Sequence, residues 1–137
     1  MSMFRTYDHT KVNISLNGVA LTDFDGDVTI EKEGPEFEVV EGSNGCVERS
    51  RMIRNLYTVT LPMMQTSLQL DAIEALRVAD EKTGAGPFPF AVLDLNGAYV
   101  LMGQAWVESM GTATKGRQAT ARNVVLRVKA EAAFEGA

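Results

Sequence analysis

Alternation of apolar and polar positions dominates the start of the chain. In Lys11-Val12-Asn13-Ile14-Ser15-Leu16 every second residue is apolar, the period of a half-buried strand. Asn17-Gly18 follows, a pair that tolerates the positive φ angles of a tight hairpin turn, and Val19-Ala20-Leu21 begins a return strand. Asp27 to Glu33 alternates again, with Val28 and Ile30 on one face, before Gly34-Pro35 interrupts the pattern. Glu36 to Glu41 places Phe37 and Val39 on one side and acids on the other. Gly42-Ser43-Asn44-Gly45 is a turn signal, and Glu48-Arg49-Ser50-Arg51 beyond it is polar with no face to bury. Arg54 to Leu61 alternates through Tyr57, Val59 and Leu61. These stretches predict a long hairpin over about residues 34–56 whose polar tip projects from the body. Segments without a core obligation are where binding surfaces tend to sit.

The period changes once. From about Ser67 to Lys82, Leu68, Ala72, Ile73, Leu76 and Ala75 or Ala79 recur at helical spacings of three and four. Thr66 is the expected N-cap, with Gln69 reaching back as in a capping box, and Gly84 the expected stop. Lys82 suits the negative end of the helix dipole. The stripe reads as packing against a sheet.

After the breaker at residues 84–87, Phe88–Leu95, Asn96-Gly97 and Ala98–Val107 predict a second hairpin. The run Ala98–Met102 suggests burial on both faces, and Trp106 is expected to anchor the core. Ser109–Ala119 reads as a loop. Thr120 to Ala130 predicts a last strand, with Val124, Leu126, Val128 and Ala130 on one face and Val125, Arg127 and Lys129 on the other. Seven or eight strands and one helix make a mainly β protein: a small β-sandwich or partly open β-barrel with one α-helix at about residues 67–82. At 137 residues a single domain is expected, spanning 1–137.

Composition narrows the function. No apolar run approaches the ~18 residues of a membrane helix, and the opening MSMFRTYDHTK holds no apolar stretch for a signal peptide. The one cysteine, Cys46, excludes an internal disulfide and a cysteine-based zinc site; it reads as a small buried or turn residue. A net charge of −5 disfavours a general nucleic-acid binder. The charge is segregated: Asp23–Glu41 holds eight acids and one base, whereas Ser109–Ala130 holds five bases and no acid. Such segregation gives either two solvated faces or complementary surfaces on neighbouring copies.

Catalytic chemistry is not legible. His9 is the only histidine and stands outside any nucleophile–base pattern. Asp23-Phe24-Asp25-Gly26-Asp27 fails as a calcium loop: the required glycine falls on Val28 and the required glutamate on Gly34. Phosphate-loop, dinucleotide, zinc-protease and nucleophile-elbow motifs are missing. No catalytic, cofactor-binding or metal residue is assigned, and an enzyme is not expected.

The order of several stretches resembles the tail tube proteins of contractile-tailed bacteriophages. The resemblance is carried by Tyr7-Asp8 before Val12–Leu16 and Asn17-Gly18-Val19, then by Phe24–Ile30. Glu41–Gly45 with Arg49-Ser50, Tyr57–Leu61 with Gln65-Thr66-Ser67, and Pro89–Leu95 with Asn96-Gly97 and Gln104–Val107 complete it. It covers roughly Tyr7 to Ala130; its specificity lies in order and spacing. It implies a small β-barrel or sandwich whose homo-hexameric rings stack head to tail into the inner tube of a contractile tail. Genomic DNA would pass through the lumen during ejection into the host without specific binding, and the lumen would be acidic or neutral. Sheath, baseplate hub and tape-measure protein are the implied partners. The implied location is the virion, after synthesis in the host cytoplasm. Pyocin tubes and type VI secretion tubes share this architecture. A monomeric carbohydrate- or protein-binding β-sandwich is the alternative; it would show an exposed aromatic patch.

Within that resemblance, Glu31, Glu33, Glu36, Glu38 and Glu41 are expected to face Arg49, Arg51, Arg54, Lys115 and Arg117 of a neighbouring copy. Arg127 and Lys129 are awkward inside a lumen and are expected to pair with acids across an interface.

Overall fold

The computed structural model describes residues 6–136. Residues 1–5, which begin the segment read for a signal peptide, and residue 137 lie outside the described residues. A short 3-10 turn, His9–Lys11, precedes β1 (Val12–Leu16), β2 (Val19–Leu21), β3 (Thr29–Lys32), β4 (Phe37–Glu41), β5 (Val47–Arg51) and β6 (Leu56–Met63). Helix α1 (Leu68–Thr83), β7 (Phe88–Asp94), β8 (Tyr99–Ser109) and β9 (Arg122–Glu135) follow. Seven strands form one antiparallel sheet in the order β2-β1-β7-β8-β9-β6-β3, and β4 and β5 form a separate two-stranded sheet.

Alternation in the sequence becomes burial in the sheet. Ile14, Leu16, Val92, Leu101, Val124, Leu126, Val128, Tyr57, Val59 and Leu61 all fall in one core cluster. Phe88, Ala105, Val128 and Tyr57 lie side by side across β7, β8, β9 and β6. Leu21 from one edge strand and Ile30 from the other contribute to the same cluster. A sheet whose two edges share one core must curl, but it does not close into a barrel: β2 and β3 do not pair. The fold is thus mainly β with one helix, as the periodicities predict, with nine strands among the described residues instead of seven or eight.

Two glycines fix local geometry. Asn17 (φ 52) and Gly18 (φ 80) turn the first hairpin with both central residues left-handed. Gly103 sits where the β8–β9 register shifts, and a Cβ there would collide with the Lys129 carbonyl and lie 2.9 Å from Ala130 Cα. The Asn96 turn differs from the expected tight pair. Its side chain exchanges two hydrogen bonds with the Asp8 backbone, at 2.8 and 2.9 Å, and so ties the hairpin to the start of β1.

Helix α1 packs against β8, and its Ala72, Ile73 and Leu76 line a cleft with Leu16, Val19 and Leu21 of the first hairpin. Its N-cap is Ser67, not Thr66: the Ser67 hydroxyl accepts from Gln69 N–H at 3.0 Å and donates to the Asp23 carboxylate at 2.6 Å. Gln69 does not reach back to the cap; its Oε1 accepts from the Thr22 and Asp23 amides instead. Leu70 and Ile73 are buried, whereas Leu68 is 81% exposed, so the buried face is rotated from the predicted one. Gly84 ends the helix at φ 66, and the Gly86–Pro87 peptide bond is cis.

Trp106 corrects the expected core. It stands on the outer face of β8, 36% exposed, opposite Arg127. Met102 is also outward and half exposed, so the Ala98–Met102 run is not buried on both faces.

Candidate assembly surfaces

The β4–β5 hairpin, here called the arm, leaves the body between Lys32 and Leu56 and packs substantially against no other element. All ten of its strand residues are exposed. Gly42 N–H donates to the Cys46 carbonyl at 2.7 Å and Gly45 takes φ 84, which closes the tip. Cys46 is an exposed residue at the end of that turn.

Pairing sorts the arm into two unlike faces. Phe37 pairs with Arg51, Val39 with Arg49 and Glu41 with Val47, and directly paired residues point to the same side. One face therefore carries Phe37, Val39, Glu41, Val47, Arg49 and Arg51, so Glu41 does not share the side expected for the acids. The other carries Glu38, Val40, Glu48 and Ser50. The Arg49 guanidinium lies 4.4 Å from the centroid of the Phe37 ring, a cation–π contact that holds both side chains on the first face. Phe37, Val39 and Val47 are 40, 65 and 66% exposed. The tip is polar as expected, but the arm's apolar positions find no cover among the described residues.

The predicted charge partners divide. Three of the five acids have partners in their own chain: Glu33 with Arg127, Glu36 with Lys32, and Glu38 with Arg54 at 2.8 Å. Arg54 is thus already paired inside the chain. Arg127 also lies 3.9 Å from Glu108 and donates to the Thr58 hydroxyl at 3.2 Å. Its ion partners belong to its own chain, which corrects the expected pairing across an interface; Lys129 is exposed on the same strand. Among the described residues, Glu31, Glu41, Arg49, Arg51, Lys115 and Arg117 have no ion-pair partner, and Lys115 and Arg117 sit in the exposed loop before β9.

The ion pairs at the root of the arm set local ionisation. The hydrogen bond from Lys32 holds the Glu36 carboxyl below the usual glutamate value and raises the Lys32 ammonium. On α1, Arg77 donates to Glu74 at 2.9 Å and lowers that carboxyl in the same way. Tyr57 and Tyr99 are raised chiefly by burial.

Two features were not foreseen. One is the outer sheet face, where Leu93, Met102, Trp106 and Phe134 are all at least 36% exposed. Register alone exposes them, because their strand neighbours point inward. The other is a seam between β1 and β3. Two adjoining clefts of about 270 and 290 Å³ share Tyr7, Val12, Ile14 and Val28. Neither has a short-range signal. The seam depends on where the sheet stops closing, which no local period encodes.

No protein-family model matches the chain, and no curated protein matches it. Among solved structures, the fold is similar to that of a chain in an extracellular contractile injection system, in a structure of the PVC sheath/tube terminator in its extended state. The TM-score is 0.64 at 9% identity, covering 97% of this chain and 98% of the other. The coverage extends the likeness to the whole curled sheet, helix and arm. At that identity it shows a shared fold.

Proposed function

We propose that this chain is a structural subunit of a contractile tail, the inner tube protein of a phage tail whose homo-hexameric rings stack head to tail. Its tube would conduct the genome into the host, with sheath, baseplate hub and tape-measure protein as partners and the virion as its place. The observation that carries this reading is the fold shared end to end with a component of a contractile injection system. The arm supports it. An isolated two-stranded hairpin is marginally stable in water, and an exposed apolar face on one is explained by a partner that covers it. A contact between arm and body uses two different surfaces, so unless two copies exchange arms it builds a ring or a filament. The short edges β2 and β3 offer places where neighbouring sheets can join.

A tube of a pyocin or a type VI-like device fits the same fold. The monomeric binding-module alternative gains from the exposed Trp106 and Phe134 but leaves the arm unexplained. Negative-stain electron microscopy of the purified protein at rising concentration tests the proposal. Rings or hollow tubes are expected. A field of compact monomers at every concentration, with or without added sheath protein, contradicts it.

A further inference from the structure

The seam between β1 and β3 has a chemistry that matches one face of the arm. Its floor is apolar, formed by Val12, Ile14, Val28 and Ile30, and two acids, Asp27 and Asp94, stand among its lining residues. Val12, Val28 and Ile30 pack against the core while remaining only half-buried, so a face of the core is open here. No α1 residue lines these clefts; Tyr7 lines both and is itself 70% exposed, and His9 lines one. The arm presents the converse pattern. Phe37 and Val39 are flanked by Arg49 and Arg51, which lack ion-pair partners among the described residues; Glu41 shares this face at its tip end, so the two arginines outnumber the acid.

We infer that the arm of one copy lays its Phe37/Val39/Arg49/Arg51 face into the seam of a second copy. Phe37 and Val39 cover the open floor, and the two arginines meet Asp27 and Asp94. A second copy is the occupant because the complementary charges and apolar positions all lie on this one chain. Opposite charges at the rim set register, and the apolar contact supplies most of the free energy. The opposite arm face, with Glu38 and Glu48, would place acids against acids and is excluded by the same logic. The inference rests on the assembly reading above, and it adds which surfaces meet.

Site-directed cross-linking tests it. In a Cys46→Ser background, one copy carries Val39→Cys and a differently tagged copy carries Val28→Cys, and the two are co-expressed and oxidised. A disulfide forms only between Cβ atoms about 3.5–4.5 Å apart, so the arm face is read directly. The expected result is a linked pair of the two tags, lost when Val40→Cys, on the opposite arm face, replaces Val39→Cys. Circular dichroism of each variant verifies the fold. Equal linkage from both arm faces overturns the inference. So does the lack of a Val39–Val28 link, as when another protein or the chain's own first residues fill the seam. Microscopy of the same samples separates the two readings. Tubes without the link overturn the seam contact and leave the tube; the link without rings or tubes overturns the tube and leaves the contact; neither overturns both.

Discussion

Strands β4 and β6 carry the same kind of alternation, but their apolar residues meet different fates. In β6, Tyr57, Val59 and Leu61 are at most 2% exposed. In β4, Phe37 and Val39 are 40 and 65% exposed. The difference lies in neighbours. β6 is flanked by β9 and β3 inside a curled sheet, whereas β4 has only β5. Alternation specifies that a strand has an apolar face; it does not say which molecule covers that face. In the body the cover comes from the same chain and stabilises the fold. On the arm no described residue supplies it; under the proposed function the same pattern would serve assembly.

The comparison can be broken from the body's side first. Leu126→Ala removes a fully buried side chain from the centre of the sheet and is expected to cost ~2–5 kcal/mol in chemical denaturation. Assembly should fail with the fold. Gly103→Ala forces a Cβ against the β9 backbone and should cost roughly 1–3 kcal/mol, read the same way. Ser67→Ala deletes the cap of α1 and leaves the Asp23 carboxylate without that donor; a loss of ~1–2 kcal/mol is expected. A loss below the error of the titration would show that the cap does not hold the helix.

The arm should behave in the opposite way. Arg49→Glu with Arg51→Glu changes exposed residues only, so stability should shift by no more than ~0.5 kcal/mol. Rings or tubes should nevertheless be lost in microscopy. Normal assembly of that variant would remove the arm's basic face from the account. The smallest effect is acidic. Glu36 and Glu74 are held below the ordinary glutamate value of 4.5 in the fold, so their contribution is present above that pH. It is lost as pH falls through the lowered folded-state values, which a pH series of thermal melts will show as a shallow decline. Both pairs are exposed to solvent, so the decline should weaken further in salt.

Most of the body was legible in the sequence because its determinants are local. Period two located the strands of the sheet, period three to four located α1, and Asn17-Gly18 and Gly84 marked their turns. The errors share a cause at longer range. Ser67 displaced Thr66 as the cap because it also bonds Asp23, 44 residues away. Trp106 faces outward because the inward parity of β8 belongs to Leu101, Gly103 and Ala105, set by the close approach of β9 at Gly103. Glu33 finds Arg127 because sheet order leaves only β6 between β3 and β9, while Glu36 pairs four residues back with Lys32. The projecting arm was legible, since a polar hairpin tip needs no partner to be recognised. Its two-faced chemistry needed the register of β4 on β5, and the seam needed the whole sheet.

Hydrogen exchange compared between dilute and assembled protein tests the central claim most directly. Amides of β6 and β9 should be protected in both states, because their cover lies within the chain. Amides of β4 and β5 should exchange quickly in the dilute protein and become protected on assembly. Protection of the arm in the dilute monomer, or continued fast exchange within assembled particles, would contradict the division between a self-covered body and a partner-covered arm.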